Sequence, residues 1–390
     1  MRYLTALIAS LITLMILMIG CSGPAREIDP LVLEGLKTYI ERHHLPPEMY
    51  LVGKFADHDV IFLGEMHRNK HDVEFVSSLI PYLHSHGIFR LGTEFARRED
   101  QYLIDSLLTA PTYDEDLARR ITFQFSPFWG YQEYVDIFRA AWEVNSVLED
   151  AEADVERFRI LALNDSPEWW HVESEEDRDD PAVMKKVCAG GGEHQWAKVI
   201  MDSAVAQEKK ILVHCGIHHA FTEYKQPVYI NGEFVRFEDT RAGNHVFREI
   251  GKRAITVFMH SAWVSAKGYD KPMVEPADGI VDATMELVDA SYLPVGFDTR
   301  GTPFGDLPGE TSLYKHGYEA FRLATFCDGY IYHKPFSEYE GVTPIPDFVN
   351  EGNIEEARRN ASNPRFRDAS PERFNKSSAK DAAALHGVPG

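Results

Sequence analysis

Cysteine is scarce in this sequence. Four cysteines occur among 390 residues, at positions 21, 188, 215 and 327, and none forms a Cys-x-x-Cys pair or a zinc-finger spacing with histidine. These counts exclude a fold held together by several disulfides, and the spacings exclude a zinc finger.

Positive charge is also in short supply. The 40 Lys and Arg residues are outnumbered by 61 Asp and Glu residues, which gives a formal net charge of −21. Because such a chain repels nucleic acid and anionic lipid headgroups, we expect no nucleic-acid partner.

Long apolar runs are lacking after the amino terminus. The one such run, Leu4 to Gly20, follows a single positive charge at Arg2, which is the pattern of a secretory signal. The boundary Gly20-Cys21 resembles the lipobox of bacterial lipoproteins, which implies cleavage before Cys21 and its acylation. A retained transmembrane anchor is the alternative, since about 20 apolar residues span a bilayer.

We therefore expect a lipoprotein signal peptide at residues 1–20 and a tether at residues 21–30. The acylated Cys21 would make the lipid bilayer a partner of an exported protein in the cell envelope. The protein would lie at the outer membrane or at the outer face of the cytoplasmic membrane. With Cys21 acylated, the three other cysteines allow at most one disulfide.

Short apolar runs alternate with helical patterns along the first 260 residues. The pattern predicts strands at residues 60–63, 89–95, 158–163, 211–215, 254–259 and 330–332, and helices at 31–44, 72–86, 97–108, 114–121, 131–149 and 193–207. This order predicts an α/β fold with a mostly parallel central sheet flanked by helices and carrying helical insertions. A single domain is expected over residues 31–355, with an acidic insertion at 164–181 and a disordered polar tail at 356–390.

Polar side chains follow four of the predicted strands, where ligands bind in parallel sheets. They are Glu65 and His67 after the first strand, Glu94 and Arg97 after the second, Asn164 and Asp165 after the third, and His218 and His219 after the fourth. His67 and His219 each close a Gly-x-x-His motif. A third match, which ends at His194, lies in a glycine-rich loop and is interpreted as accidental.

These residues suit either metal ligation or general acid–base chemistry. The predicted catalytic set is Glu65, His67, Glu94, Arg97 and His219, of which His67, His219 and Glu94 are also the candidate ligands of a divalent transition metal. Each residue also has a structural interpretation. Glu65 suits a helix cap, Glu94 and Arg97 suit an i,i+3 ion pair, and Asp165 suits a turn.

Three histidines near the end of the fourth predicted strand have different expected positions. His214 is expected to lie on a packed face of its strand, as a core histidine. His218 and His219 point apart in extended backbone, so one of them is expected to reach the site. His219 matches the register of His67, and His218 is the candidate for binding a cofactor.

The paired Gly-x-x-His motifs with Glu-x-x-Arg between them resemble a known superfamily. It joins ChaN-like haem-uptake lipoproteins, TraB/PrgY pheromone-shutdown proteins, Tiki proteases and erythromycin-esterase-like enzymes. The ChaN-like branch is the most similar, through Val60 to His67, His214 to His219 and Gly296 to Gly305. The resemblance implies that His67 and His219 are the paired histidines, that Glu65 and Glu94 are their acidic partners and that Arg97 orients Glu94.

The resemblance implies two different activities. The first is a hydrolase of ester or amide bonds, in which a histidine or a histidine-bound metal activates water. The second is a lipoprotein that binds haem or iron without turnover, with a His or Tyr axial ligand. The ligand is accordingly a small molecule, a peptide or haem. We favour the hydrolase, because a haem pocket does not require clustered carboxylates and an arginine.

Overall fold

A seven-stranded sheet organises the chain in the computed structural model, which describes residues 28–148, 155–230, 233–268 and 271–384. Its strand order is β3-β2-β4-β1-β7-β9-β8, and every neighbouring pair is parallel except β8 with β9. Strands β5 and β6 form a separate antiparallel hairpin. The strands are β1 Val60–Glu65, β2 Arg90–Arg97, β3 Arg159–Asn164, β4 Ile211–Gly216, β5 Gln226–Ile230, β6 Glu233–Glu238, β7 Ala254–Met259, β8 Val295–Asp298 and β9 Gly329–Tyr332.

Thirteen α-helices lie in the described residues. They are α1 Pro30–His43, α2 Pro47–Lys54, α3 Lys70–Ser85, α4 Gln101–Thr109, α5 Glu115–Phe125, α6 Gln132–Ser146, α7 Pro181–Val187, α8 Glu193–Ser203, α9 Ala242–Ile250, α10 Ile280–Met285, α11 Leu323–Phe326, α12 Ile354–Asn360 and α13 Pro371–Ala383. No helix in these ranges combines the length and apolar character needed to cross a membrane. The predicted signal peptide and Cys21 lie outside the described residues, as do all but the last three residues of the predicted tether.

The central strands are buried on both faces, as their unbroken apolar runs indicate. In β1, Ile61 and Leu63 face a core formed with α3 to α6 and the carboxyl-terminal helices, whereas Val60 and Phe62 face a second core formed with α1 and α8 to α11. Helices therefore cover both faces of the sheet, and the predicted α/β class is confirmed.

Parallel pairing brings three strand ends to one edge of the sheet. Leu63 in β1 is paired with His214 in β4, and Thr93 in β2 is paired with the same His214. Residues that follow β2, β4 and β1 are therefore neighbours, although β4 lies more than 100 positions after the other two strands in the chain. Strand β2 also continues to Arg97, so the helix expected from residue 97 begins at Gln101.

The predicted acidic insertion is ordered against the rest of the domain. Arg98 forms an ion pair with Asp165 near its start, and Arg367 donates hydrogen bonds to the carbonyls of Trp169 and Val172. The insertion therefore follows the sheet edge and contacts the carboxyl-terminal part of the chain.

The prediction of a disordered tail from residue 356 is wrong for residues 356–384. Helix α13 places Phe374, Ser378 and Ala382 on one buried face, at a spacing of four residues. The Phe374 ring lies 5.1 Å from that of Phe128 and 4.9 Å from that of Phe366. The few apolar residues of this polar segment thus lie on one helical face. The average composition of the segment does not reveal this spacing.

Replacing Phe374 with alanine tests this packing. Because its ring is fully buried, Phe374→Ala is expected to lower the free energy of unfolding by about 3–5 kcal/mol, measured by urea denaturation. Phe234→Ala is the matched control, since this ring is 40% exposed and its loss is expected to cost less than about 1 kcal/mol. Equal losses for the two variants would contradict a packed carboxyl-terminal helix.

Candidate functional site

His67 and His219 meet at the carboxyl edge of the sheet, beside Glu94. The Nε2 atom of His67 lies 3.8 Å from Oε1 of Glu94, and Nε2 of His219 lies 3.5 Å from the same oxygen. His67 follows β1, Glu94 lies in β2 and His219 follows β4. The structure therefore brings these three predicted residues together.

Glu65 holds the other ring nitrogen of His67. The Nδ1 of His67 donates to Oε1 of Glu65 at 2.9 Å, Tyr134 donates its hydroxyl to the same oxygen at 2.5 Å, and Nε2 of His214 donates to Oε2 at 2.6 Å. Three donors thus surround one carboxylate that is fully buried. The geometry leaves Nε2 of His67 directed at Glu94, with the His67 side chain 32% exposed.

The charge state of Glu65 follows from these partners. Burial alone would raise its pKa, but the contacts with His214 and His67 outweigh burial and hold the pKa well below its usual value. Burial and the neighbouring Glu65 raise the pKa of Tyr134 well above its usual value, so its hydroxyl remains a donor. Glu65 is therefore an anionic acceptor that orients imidazole rings, and it does not cap a helix.

Glu94 is held between the two histidines by the backbone of β4. Its Oε2 accepts a hydrogen bond from the N–H of Gly216 at 2.7 Å. Burial would raise the pKa of Glu94, but His219 and His67 together lower it to about 2. A Cβ atom at Gly216 would lie 2.7 Å from Cε1 of His67, so a glycine is required for this close approach.

His219 has a carboxylate of its own. Its Nδ1 lies 2.9 Å from Oε2 of Glu193, whose Oε1 accepts a hydrogen bond from Arg241 at 2.8 Å, and Trp196 stacks on the imidazole at 4.7 Å. Burial would lower the pKa of His219, but Glu94 and Glu193 raise it to about 10. His219 is therefore a cation near neutral pH.

Aromatic rings form a wall beside His67. The rings of Trp129 and Phe95 lie 5.3 and 5.5 Å from the imidazole, and Phe125 packs edge-on against Trp129 at 5.6 Å. The next residue, Arg68, has a positive φ of 74°, and its N–H donates to the Tyr134 hydroxyl at 3.1 Å. This left-handed conformation is uncommon for a residue other than glycine, and it turns the chain directly after His67.

Arg97 differs from its prediction. It donates to Asp100 at 2.6 Å and to Gln124 at 2.7 Å, and no described contact joins it to Glu94. Because β2 continues through Arg97 and a bulge separates the two residues, the side chains do not meet as on a helix. The predicted orienting role for Glu94 and the predicted Glu94–Arg97 ion pair are therefore both wrong.

The remaining predicted residues lie around the site. His218 is hydrogen-bonded to the Tyr314 hydroxyl at 2.9 Å, so the adjacent histidines do point apart, and its contact is in a different packed region from Glu94. Burial, assisted by Arg241, lowers the pKa of His218 to about 3. Asp165 accepts from the N–H of Gly192 and anchors a loop, whereas Asn164 donates to the carbonyl of Glu94.

Sequence reasoning missed two residues that position the site. Tyr134 lies within the helix predicted at residues 131–149, and its hydroxyl binds Glu65. Glu193 lies in the Gly-x-x-His match that was interpreted as accidental. His194 of that match takes no part in the site, but the Glu before it holds His219. An acid at the start of a helix that follows a glycine loop was the available signal.

The predicted metal set was His67, His219 and Glu94. Within the described ranges, no group of three or more His, Cys, Asp or Glu side chains is arranged to hold a metal ion. Paired imidazoles and carboxylates in contact are instead suited to proton transfer.

Residues 51–167 match the family model described as haem-binding uptake, Tiki superfamily, ChaN. The ChaN-like resemblance predicted from the sequence is therefore confirmed. No curated protein matches the chain in sequence.

Solved structures with related folds share little sequence with this chain. A succinoglycan biosynthesis protein matches with a TM-score of 0.50 at 10% identity, over 82% of this chain and 99% of its own. A Bacillus cereus protein matches with a TM-score of 0.49 at 11% identity, over 80% and 98%. ChaN of Campylobacter jejuni, solved with cofacial haem, matches with a TM-score of 0.37 at 14% identity, over 56% and 88%. At these identities the similarity concerns the fold.

Removing the Tyr134 hydroxyl tests the support of Glu65. Tyr134→Phe leaves a buried carboxylate and the N–H of Arg68 without this partner, so the free energy of unfolding is expected to fall by about 1–3 kcal/mol. Tyr113→Phe is the control, because its hydroxyl makes a long 3.4 Å bond to the carbonyl of Val135. The control is expected to lose less than about 0.5 kcal/mol in urea denaturation. A Tyr134→Phe protein as stable as the parent would show that Glu65 does not depend on this donor.

Proposed function

We propose that this protein hydrolyses an ester or amide bond with the His67–Glu94–His219 site, two residues of which lie in the region 51–167 that matches the ChaN family model. One observation carries the proposal: two imidazoles from distant parts of the chain face a single buried carboxylate, and each imidazole has a further carboxylate on its Nδ1. Such arrangements fix the tautomer and direction of a catalytic histidine.

His67 is the general base of the proposed reaction. Its Nδ1 is occupied by Glu65, so Nε2 is the nitrogen available to take a proton from water. Attack of that water on the substrate carbonyl forms a C–O bond and a tetrahedral oxyanion. The protonated His67 then gives its proton to the departing alcohol or amine as the C–O or C–N bond breaks.

His219 is the cation that stabilises the oxyanion. Glu193 and Glu94 keep its imidazole protonated, and Arg241 holds Glu193 in place. A fixed positive charge in a partly desolvated site favours the transition state more than the neutral carbonyl. Arg97, which was predicted in the catalytic set, has no part in this role, since it is bound to Asp100 and Gln124.

Haem binding without turnover is the second candidate, because the matching family is described as haem-binding. The partly exposed imidazole of His67 would bind the haem iron as an axial ligand, and the rings of Trp129 and Phe95 beside it would pack against the porphyrin. Bound haem would supply a ferric or ferrous iron to that ligand. The residues fit it only in part, since Nε2 of His67 faces the Glu94 carboxylate instead of an open apolar face.

Attachment to a membrane through Cys21 is a separate part of the proposal. It is supported by the apolar run that ends at Gly20 and by the Gly20-Cys21 boundary, which resembles a lipobox. An acyl chain contributes about 0.8 kcal/mol for each buried methylene, so several chains would hold the domain at the bilayer surface.

Substitution at the site tests turnover. In the soluble form lacking residues 1–21, His67→Ala is expected to lower kcat for p-nitrophenyl esters by about 10²- to 10⁴-fold, because the general base is lost. Glu94→Gln is expected to lose turnover with the fold retained. His194→Ala, outside the site, is the matched control and is expected to keep parent activity.

Spectroscopy separates the two candidate functions. The parent is expected to give no stoichiometric Soret band when mixed with haemin. A stoichiometric band that disappears in His67→Ala or His219→Ala would defeat the hydrolase proposal and favour haem binding.

The pH profile of turnover follows from the two histidines. Burial would lower the pKa of His67, but Glu94 and Glu65 raise it above 6.5, and the base must be neutral. Activity is therefore expected to rise with pH above 6.5 and to fall near pH 10, where His219 loses its proton. Glu193→Gln removes an acidic partner of His219 and is expected to move the falling limb to lower pH. A falling limb unchanged in this variant would remove His219 from the assigned role.

Metabolic labelling tests the anchor. The full chain, expressed in a bacterial host with radioactive palmitate, is expected to be labelled and to fractionate with membranes. Cys21→Ser is expected to abolish the label, and Cys188→Ser, with an exposed thiol, is the control that should keep it. Membrane-bound and unlabelled parent protein would instead indicate a retained anchor.

A further inference from the structure

A cleft of about 270 Å³ lies beside the aromatic wall of the site. Four separate segments build it: the end of β2, the end of α5, the acidic insertion and α12. Its aromatic lining consists of Phe125, Trp169 and Trp170. Trp170 is 38% exposed, which is unusual for so large an apolar ring.

A chain of aromatic contacts connects the lining of the cleft to His67. Phe125 lines the cleft and packs against both Phe95 and Trp129, and these two rings contact the imidazole of His67. A ligand in the cleft is therefore separated from His67 by two aromatic layers, first Phe125 and then Phe95 with Trp129.

The carboxylates that line the cleft already have partners. Glu99 accepts from the hydroxyl of Ser166, Glu168 accepts from His171, and Glu356 accepts from Gln124. Arg97 is likewise engaged by Asp100. These charged groups therefore do not need a charged ligand as a further partner.

Arg359 is the exception among the charged lining groups. Its guanidinium lies over the Trp170 ring, 4.6 Å from the ring centre, and it forms no ion pair with any residue that the structure describes. A cation held on an aromatic face is fixed in direction and still offers N–H donors to an anion.

We propose that this cleft binds a carboxylate carried on an aromatic ring, with the ring against Trp170 and the carboxylate on Arg359. The proposal rests on the hydrolase function above and names its substrate class: an ester or amide whose acyl or leaving part is an aromatic carboxylate. The planar guanidinium matches a carboxylate in a two-point contact, and the tryptophans supply the apolar surface.

Indole signals report binding without turnover. In protein labelled with ¹⁵N-tryptophan, the six tryptophans give up to six indole N–H signals, and Trp170→Phe identifies one of them. Titration with 2-naphthoate is expected to shift the Trp170 signal, and the neutral 2-naphthamide is expected to bind about tenfold more weakly.

Three variants locate the carboxylate. Arg359→Gln is expected to weaken 2-naphthoate binding by about tenfold and to leave 2-naphthamide unchanged, and Arg359→Lys should be intermediate because it keeps the charge but not the planar contact. Arg365→Gln is the control, since Arg365 is exposed nearby and pairs with Glu175. Equal affinities for the two probes, no shift at Trp170, or equal losses in the Gln variants would overturn the proposal.

Ester turnover is measured separately. Shifts at Trp170 without hydrolysis of any aryl ester would sink the hydrolase function and leave the binding cleft in place. Hydrolysis with no preference for an ester that bears a carboxylate, together with a silent Trp170 signal, would leave the hydrolase and remove the cleft.

Discussion

The site depends on one buried carboxylate. Glu65 has no access to water, so its charge is tolerable only because His67, His214 and Tyr134 all donate to it. The parallel register of β1 and β4 sets Glu65 and His214 on the same face, and α6 brings Tyr134 to that face. Sheet pairing and helix packing therefore together set the direction of the His67 imidazole, through the single side chain of Glu65.

A second carboxylate repeats this arrangement with different architecture. Glu193 forms an ion pair with Nδ1 of His219, where Glu65 accepts a hydrogen bond from His67, and Glu193 begins a helix and takes its own support from Arg241 and from the backbone of Ala242. Glu94 lies between the two units and faces both imidazoles. Near neutral pH the two histidines thus have different acidities, and the difference comes from their environments.

The sequence predicted the sheet and the pair of histidines because both are local signals. An apolar strand, a glycine and a histidine three residues later lie within eight positions, and parallel strands bring such ends together. Partners that meet only through tertiary packing could not be predicted from local patterns. Arg97 contacts Gln124, and His219 contacts Glu193 at the start of a helix. The ordered tail was missed for a similar reason, since Phe374 finds its pocket only when Phe128 and Phe366 are in place.

The tertiary contacts of Arg68 can form only late in the synthesis of the chain. Its carbonyl accepts from the N–H of Val342, and its guanidinium lies 3.9 Å from Asp381 in α13. At about 5–20 residues per second, a ribosome needs roughly 15–60 s to extend the chain from Arg68 to Asp381. The nascent chain therefore contains His67 long before the residues that contact Arg68 are made, and the turn at Arg68 acquires all of these contacts only after Asp381 has been added.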